Sequence, residues 1–442
     1  MFTPSISFNT DTPRFSIFSG ERGFSTRKGG GTELGEDITR YITRVEWEDS
    51  VYGAAKLSLT VNNPDGIFSD FKGFKESNEL ELHGGYQNNI EFIGRGFIRS
   101  VEHNYPADGI PTIEIEAYDA SVFLMEWALY HNDVQWINTT ASAVADHIFN
   151  KHEHPTKSVL GVDIQPTDHR RAWVRKSNLS DFMFLSRLAK LHSYEWYTEY
   201  DWEASKWKGI FRAQKDNPNN SIFKFVYGRE PENTEAPLFS FNPSYTTMDS
   251  LSDIEMISVT DKQGGSFRFI EEIKNKSRKK KQKKLDDHEG GKFYVGENAN
   301  DPTKFSLAAG DMVTFSAFGV VQRVIVDKDF SDIKQAKDYL LYVARNMKGD
   351  FVLGTGDTIG NMFLRARQSH FLEVPGSTFT GKYYMTQTRH IFDNSGGDIG
   401  YKTEFDCRKS IDDDAIQKAS QKGSYSTATG ASSNSKKPSS HP

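Results

Sequence analysis

One stretch of the chain has the residue types of a phosphate-binding loop. Residues Gly376 to Lys382 read GSTFTGK, which matches such a loop up to its last position, where Tyr383 replaces the Ser or Thr that would ligate magnesium. A phosphate cradle must also open a helix so that backbone amides face the anion, whereas Tyr383 to Phe392 has the composition of a strand. The sequence therefore argues against nucleotide binding here.

Metal-capable side chains cluster at one place, formed by His147, His152, Glu153 and His154. Their spacing differs from HExxH, and a loop after a helix commonly carries such residues without a metal. The single cysteine, Cys407, excludes an internal disulfide and a paired-thiolate zinc site. No GxSxG elbow occurs, so we predict no catalytic residues, no cofactor and no metal. A pair of catalytic carboxylates cannot be recognised from sequence, which leaves a cell-wall hydrolase open as an alternative.

A dense basic run occupies residues 274–284 and is followed by several acidic residues. Repulsion among such neighbours favours a solvated loop that protrudes between two strands. The alternative is a loop that contacts DNA or an acidic subunit. The candidate contact residues are Lys279, Lys280, Lys281, Lys283 and Lys284.

Three tryptophans, Trp196, Trp202 and Trp207, could stack on sugars, which makes a glycan-binding module a further alternative. Clustered tryptophans more commonly belong to a core or an interface. The overall composition favours sheets, because 13% of the 442 residues are aromatic. The net charge of -6 gives no general case for nucleic-acid binding. The amino terminus lacks the pattern of a signal peptide, and no apolar stretch is long enough for stable membrane insertion.

Periodicity divides the chain into five expected parts. Residues 1–35 form an extended amino-terminal arm, and alternation such as Leu57, Leu59 and Val61 makes residues 36–124 a first small β-barrel. Residues 125–240 form an α+β insertion, with one helix capped by Thr139 or Thr140 and another following Ser177. Residues 241–410 form a second β-barrel that contains one helix, between Ser331 and Gly349, and the Lys-rich loop 274–284. Residues 411–442 form a disordered tail.

A repeat links the two predicted barrels. The segments Phe92 to His103 and Phe379 to His390 each begin with an aromatic residue and end with a histidine. In each, a glycine, Gly94 or Gly381, is followed by a basic residue. The strands that follow also match, since Glu114 to Ala117 corresponds to Glu404 to Cys407. We interpret the two segments as related hairpins within two related β modules. Because Gly-aromatic hairpins are common in β proteins, a chance match remains the alternative.

Three stretches together resemble the tail hub proteins of contractile phages, the late control protein D family, which is similar to the base of type VI secretion spikes. They are Ala55 to Gly66, Ser180 to Ala189, and the closing hairpin from Phe379 to Phe405. Secretion spikes of this kind continue into a β-helical needle, which we do not expect after Arg408. The residues that carry the resemblance are Pro64, Asp65, Gly66, Gly94, His103, Gly376, Gly381, Tyr383, His390, Tyr401 and Glu404.

The resemblance implies a mainly β chain whose two barrels form a pseudo-sixfold ring in a homotrimer. It implies a structural, non-enzymatic baseplate hub that joins a sixfold tail tube to a trimeric central spike supplied as a separate chain. Other baseplate subunits are further expected partners, and the channel would pass DNA or cargo. The hub would be assembled in the host bacterial cytoplasm and reside in the virion baseplate. Excess Asp and Glu on the channel wall would keep phosphate from adhering.

Overall fold

The computed structural model describes residues 12–21, 23–76, 78–87, 89–125, 133–151, 161–168, 170–192, 194–214, 223–232, 235–245, 253–259, 266–275, 291–294, 303–309, 322–326, 352–377, 379–396 and 399–409. The chain divides into two compact units. The first is Met1–Thr246 with Gly349–Ile411, and the second is Thr247–Lys348 with Asp412–Pro442. The segment predicted as one module, 241–410, is therefore divided between the two units.

A first β module comes from the amino-terminal part of the first unit. Its strands β1 to β7 are Pro13–Gly20, Thr32–Glu33, Ile42–Ser50, Lys56–Asn62, Glu79–Tyr86, Asn89–Asn104 and Thr112–Tyr118, and its one short helix, α1, is Glu36–Thr39. The strand order is β2-β1-β5-β6-β7-β4-β3, and every pair is antiparallel. Alternation explains the core, since Leu57, Leu59 and Val61 are buried while Ser58 and Thr60 are partly exposed on the other face.

The prediction of an extended arm over residues 1–35 is wrong for the described part of that segment. β1 pairs with β5 along its whole length, from Pro13 opposite Tyr86 to Gly20 opposite Glu79. Phe15 and Ile17 enter the core of the first module. Their alternation with polar neighbours is a strand pattern, which the abundance of Gly, Ser and Thr in this segment obscured.

An α+β segment follows, and it keeps small sheets of its own. After helix α2, Val122–Met125, come β8, α3, β9, β10, α4, β11 and β12, which are Val134–Thr140, Ala141–Lys151, Gly161–Ile164, Arg170–Arg175, Asp181–Leu191, Tyr194–Asp201 and Lys206–Ala213. The sheets are β10-β8 and β11-β12-β9. Both predicted helices are confirmed, but the second begins at Asp181 rather than directly after Ser177. The hydroxyl of Thr140 accepts a bond from the amide of Ala143, and that of Ser180 from the amide of Met183.

The second β module closes into a six-stranded barrel. β13 and β14 are Lys224–Tyr227 and Glu235–Tyr245, and β20 to β23 are Val352–Ile359, Ser369–Glu373, Gly381–Asp393 and Gly400–Lys409. The ring of pairings runs β13-β14-β20-β23-β22-β21 and returns to β13. The prediction of a mainly β chain is confirmed, and one of the two predicted barrels is closed, whereas no described strand pair closes the first module.

The second unit contains a five-stranded sheet of order β17-β18-β16-β15-β19. These strands, β15 to β19, are Asp253–Val259, Ser266–Asn275, Gly291–Tyr294, Thr303–Ala309 and Gln322–Val326. The predicted helix between Ser331 and Gly349, the candidate contact residues from Lys279 to Lys284, and the tail 411–442 lie outside the described residues.

One buried carboxylate, Asp119, lies just beyond β7. It accepts hydrogen bonds from the amides of Ala55 (3.0 Å) and Ser121 (2.9 Å) and from the Ser121 hydroxyl. Burial raises the pKa of Asp119 to about 6, because the loss of solvation outweighs these hydrogen bonds. The folded state therefore holds a proton on Asp119 more tightly than the unfolded chain does.

We expect Asp119 to make the stability of the first unit depend on pH. Its contribution is fully present below about pH 4 and is lost as the pH rises through 6, a change of roughly 3 kcal/mol at most for a shift of about two pKa units. The measurement is urea unfolding followed by tryptophan fluorescence, since all seven tryptophans lie in the first unit. The Asp119→Asn variant should lose this pH dependence, and an unchanged profile would contradict the assignment.

Candidate functional site

Five strands of each β module repeat those of the other, well beyond the hairpin seen in the sequence. β3, β4, β5, β6 and β7 correspond to β14, β20, β21, β22 and β23. Glu102 lies opposite Glu114 in the first module, and Arg389 lies opposite Glu404 in the second. The next ladder agrees as well, because Lys56 opposite Tyr118 corresponds to Leu353 opposite Arg408. We call residues at matching ladder positions equivalent.

Irregularities of the ladders repeat too. The β6–β7 ladder slips between Ile98 and Ser100, and the β22–β23 ladder slips at the equivalent place, between Met385 and Gln387. The β3–β4 and β14–β20 ladders likewise slip at equivalent residues, around Thr43 and Phe239. Bulges bend a strand at a defined point, so the matching bulges bend these equivalent strands at the same places. This agreement supports the repeat as a structural duplication rather than a chance match.

The modules join through one strand pair, which we call the seam. β3 of the first module pairs with β22 of the second, from Ser50 opposite Gln387 to Arg44 opposite Asp393. Arg389 lies at the centre of the seam, with its guanidinium 2.9 Å from Glu46, 3.5 Å from Glu48 and 3.1 Å from Glu404. These three carboxylates raise the pKa of Arg389 even though its burial acts in the opposite direction.

Aromatic residues of the second module complete the core of the first across the seam. Phe392 stacks on Tyr401 with ring centres 4.0 Å apart, and it lies 5.6 Å from the ring of Phe15. No described strand pairs β1 with β3, so the first module is open at this point and these two rings belong to its core. Arg365 adds a polar tie, since it donates to the carbonyl of Phe92 at 2.9 Å and lies 3.1 Å from Nε2 of His390.

A single sheet face runs across both modules on the side opposite the barrel cores, along β6-β7-β4-β3-β22-β23-β20-β14. We call it the acidic face. Five cations stand on it, Arg44, Lys56, Arg389, Lys402 and Arg408. The nine carboxylates on it are those of Glu46, Glu48, Glu102, Glu114, Glu116, Asp357, Asp393, Glu404 and Asp406. Acidic residues therefore exceed basic ones by four, and their potential would repel phosphate.

A buried charge cluster ties the first module to the α+β segment. Arg95 forms ion pairs with Glu79 and, at 2.9 Å, with Glu81. Its guanidinium lies between the rings of Phe24 (3.9 Å) and Tyr200 (4.2 Å). The loss of solvation raises the pKa of Glu79, whereas at Glu81 hydrogen bonds from His83 and Thr26 outweigh burial and lower it. The cluster fixes how the α+β segment sits on the first module.

The residues that carried the resemblance are structural in different ways. Pro64, Asp65 and Gly66 form a tight turn after β4 in which Asp65 and Gly66 have positive φ. An added Cβ at Gly94 would collide with the indole of Trp47, which explains the glycine. Gly376 lies in a turn and Gly381 begins β22, so the GSTFTGK segment leads into a strand rather than a helix.

The two repeat histidines have unlike surroundings. His390 is buried, with Nδ1 2.9 Å from the Tyr401 hydroxyl, and its burial lowers its pKa far below the ordinary value. His103 is exposed and stacks on Tyr105. Tyr383 is buried and donates to the carbonyl of Phe379 at 2.7 Å. Glu404 binds Arg389 and Lys402 on the acidic face.

The other candidates for chemistry can be placed only in part. His147 lies in α3 with its ring edge against Trp136, while His152, Glu153 and His154 fall outside the described residues. Within the described ranges, no group of three or more His, Cys, Asp or Glu residues could hold a metal ion. Of the three tryptophans considered for sugar stacking, Trp207 is buried against Phe97, and the indole nitrogens of Trp196 and Trp202 bond to Ser186 and Thr26.

Comparison with known proteins rests on the fold, because no protein-family model and no curated protein matches this sequence. A tail protein from Neisseria meningitidis MC58 is similar in structure, with a TM-score of 0.59 and 9% identity over 89% of this chain and 96% of that one. The 43 kDa tail protein of prophage MuSo2 from Shewanella oneidensis has the same TM-score and identity, over 90% and 99% of the two chains. The chain has the fold of a phage tail protein.

This tail-protein fold extends over nearly the whole of both similar chains, so the similarity is not confined to one barrel. It agrees with the resemblance found in the sequence. In the part of the chain that the structure describes, no helix is long and apolar enough to span a membrane.

Proposed function

We propose that this chain is the structural hub of a contractile tail baseplate, a homotrimer that joins a sixfold tail tube to a trimeric central spike. The observation that carries the proposal is the duplication of the β module, with matching registers and bulges in the ladders that join β3, β4, β7 and β6 and their equivalents. Two equivalent modules in each of three copies present six similar seats, which match a sixfold partner on one side while the trimer matches a threefold partner on the other.

The sheet of the acidic face has enough strands for three copies to form a closed ring. It has eight strands, so three copies bring twenty-four. At about 4.8 Å between neighbouring strands, twenty-four strands span a circumference of about 115 Å and a diameter of at least about 37 Å. Barrels of sixteen to eighteen strands already leave an aqueous channel, so a ring of this size encloses a wide one.

The acidic face would form the inner wall of that channel. The barrel cores lie on the other side of the sheet, and this bulk fits the larger outer circumference of a ring. An excess of four carboxylates per copy gives twelve negative charges around the wall, which would keep DNA from adhering during passage. The wall would thereby serve transport of DNA or cargo without base recognition.

A non-enzymatic role follows from the same proposal. The two similar structures are tail proteins, and the carboxylates of the acidic face come from neighbouring strands of one sheet. We propose a location in the virion baseplate after assembly in the host cytoplasm, with tail tube, spike and other baseplate subunits as partners. If purified protein released fragments from peptidoglycan, the cell-wall hydrolase alternative would replace this assignment.

The decisive experiment for the hub is the mass of the native assembly. We expect native mass spectrometry and sedimentation of the full chain to show three copies of the 50.1 kDa subunit at micromolar concentration. A ring that closes has one stoichiometry, so further concentration should add no larger species. A strict monomer at all concentrations, or an open-ended series of oligomers, would contradict the trimeric ring.

A further inference from the structure

We infer that copies of this chain join by strand pairing, with the edge of β14 in one copy against the edge of β6 in the next, in the register of the seam within each chain. The inference rests on the proposed ring, since it identifies the surfaces through which its copies would meet. Its observations are nevertheless separate from those on stoichiometry. They concern two strand edges and the aromatic residues beside them.

The first edge is the carboxyl-terminal part of β6. Its residues up to Phe97 pair with β5, but no described strand pairs with Ser100–Asn104 on that side. The equivalent part of β22 is occupied, because Gln387–Asp393 pairs with β3. One module thus uses an edge that the other leaves open. Unpaired strand edges are templates for pairing with another chain.

The second edge belongs to β14, which is equivalent to β3. β14 pairs with β13 only from Glu235 to Leu238, and beyond that point no described strand lies on the side away from β20. The equivalent stretch of β3 forms the seam with β22. The two open edges are therefore the equivalents of the two halves of a contact that already exists in the chain.

The seam fixes the register between copies. Transferring it residue by residue places Glu102 opposite Ser244 and Asn104 opposite Asn242, as equivalents of Arg389 opposite Glu48 and Ile391 opposite Glu46. The exposed polar side chains of β14 set no like charge against Glu102. Pro243 would face His103 and lacks an amide proton, so the contact would have one hydrogen bond fewer than the seam.

Exposed aromatic residues accompany both edges. Tyr105 follows β6 and is 63% exposed, whereas its equivalent across the seam, Phe392, is 0% exposed. Beside the open edge of β14, Phe239 is 56% exposed and Tyr227 of the adjoining strand β13 is 44% exposed. The transferred register brings Tyr105 alongside Phe241, two residues from Phe239. Exposed aromatic residues on both partners are typical of a protein interface.

The test is a disulfide between copies. In the seam, the amide of Val51 donates to the carbonyl of Thr386 and that of Asn394 to Thr43, so the Glu48–Arg389 pair is not hydrogen-bonded across the strands. Pairs of this kind have Cα atoms about 4.5 Å apart, which suits a disulfide. We expect the full chain with Glu102→Cys and Ser244→Cys, mildly oxidised, to run mostly as covalent dimers and trimers that reductant converts to monomers.

Two controls make the result specific. Glu48→Cys with Arg389→Cys should form a disulfide within one chain under the same conditions, and Glu102→Cys or Ser244→Cys alone should give no closed trimer. The native Cys407 is buried and contributes no background. A trimer by mass without this cross-link, although the control pair oxidises, would overturn the strand register and leave the hub proposal standing. A monomer by mass without the cross-link would overturn both.

Discussion

Replacing Arg95 with methionine is expected to lower the free energy of unfolding by about 3–5 kcal/mol. The guanidinium neutralises Glu79 and Glu81, both of which are buried, and donates to the carbonyl of Phe24 at 2.7 Å. Methionine would keep part of the packing between Phe24 and Tyr200 but would leave two carboxylates in the interior without a cation. Urea unfolding followed by tryptophan fluorescence would measure the loss.

The pH dependence of this loss separates charge from packing. Without Arg95 the pKa of Glu79, already raised by burial, rises further and that of Glu81 rises as well, so protonation of these carboxylates favours the folded state. The destabilisation should therefore be largest near pH 8 and shrink as the pH falls towards 5. The control is Lys56→Met, which removes a half-exposed ion pair with Glu116 and should cost at most about 1 kcal/mol. A loss that is the same at every pH would mean that packing alone is responsible.

The hairpins could be predicted from sequence because their function in the module requires particular residues. Gly94 makes room for Trp47, and the aromatic residues and bulges recur at equivalent positions in β6 and β22. The helices of the α+β segment were predictable from apolar spacing and, for the first helix, from the cap Thr140, whereas the cap of the second, Ser180, was not predicted. Local signals of this kind depend only on neighbours along the chain.

The rest of the duplication cannot be recognised in the sequence, because equivalent positions of the two cores carry side chains of different size. Across one row, the first module has Val45, Leu59 and Ile115, and the second has Phe241, Gly356 and Phe405 at the equivalent positions. A Cβ on Gly356 would collide with the ring of Phe405, so the glycine compensates for the larger aromatic neighbour. Such paired changes conserve the total side-chain volume of the core but remove the sequence similarity, which is why the sequence of β20 does not resemble that of β4.

Long-range pairing explains the boundaries that sequence reasoning missed. β13 and β14 join strands more than a hundred residues later in the chain, and the second unit lies between them in sequence. The acidic face has the same origin. Its carboxylates come from strands of both modules and form one surface only because the seam aligns β3 with β22. No single segment carries enough acidic residues to indicate it.

Phe392→Ala is the second change for which we expect a large effect, about 3–5 kcal/mol of lost unfolding free energy. The ring is fully buried, stacks on Tyr401 and contacts Phe15 in a core that belongs to the other module. Its removal would leave a cavity where the first module is open and would weaken the seam. Urea unfolding of the variant at a concentration below assembly would measure this, and a loss under 1 kcal/mol would contradict the role of the ring in joining the modules.

Tyr105→Ala is the matched control, because Tyr105 is the equivalent of Phe392 at the open edge. Its exposed ring has little to lose within one chain, so the unfolding free energy should change by less than about 0.5 kcal/mol. Between copies the same ring would be buried, and its removal should weaken trimer formation by at least tenfold, measured by sedimentation across a dilution series. The two equivalent positions would then give different results: Phe392→Ala would weaken folding, and Tyr105→Ala would weaken assembly. If Tyr105→Ala assembled as well as the native chain, the aromatic contact between copies would be wrong.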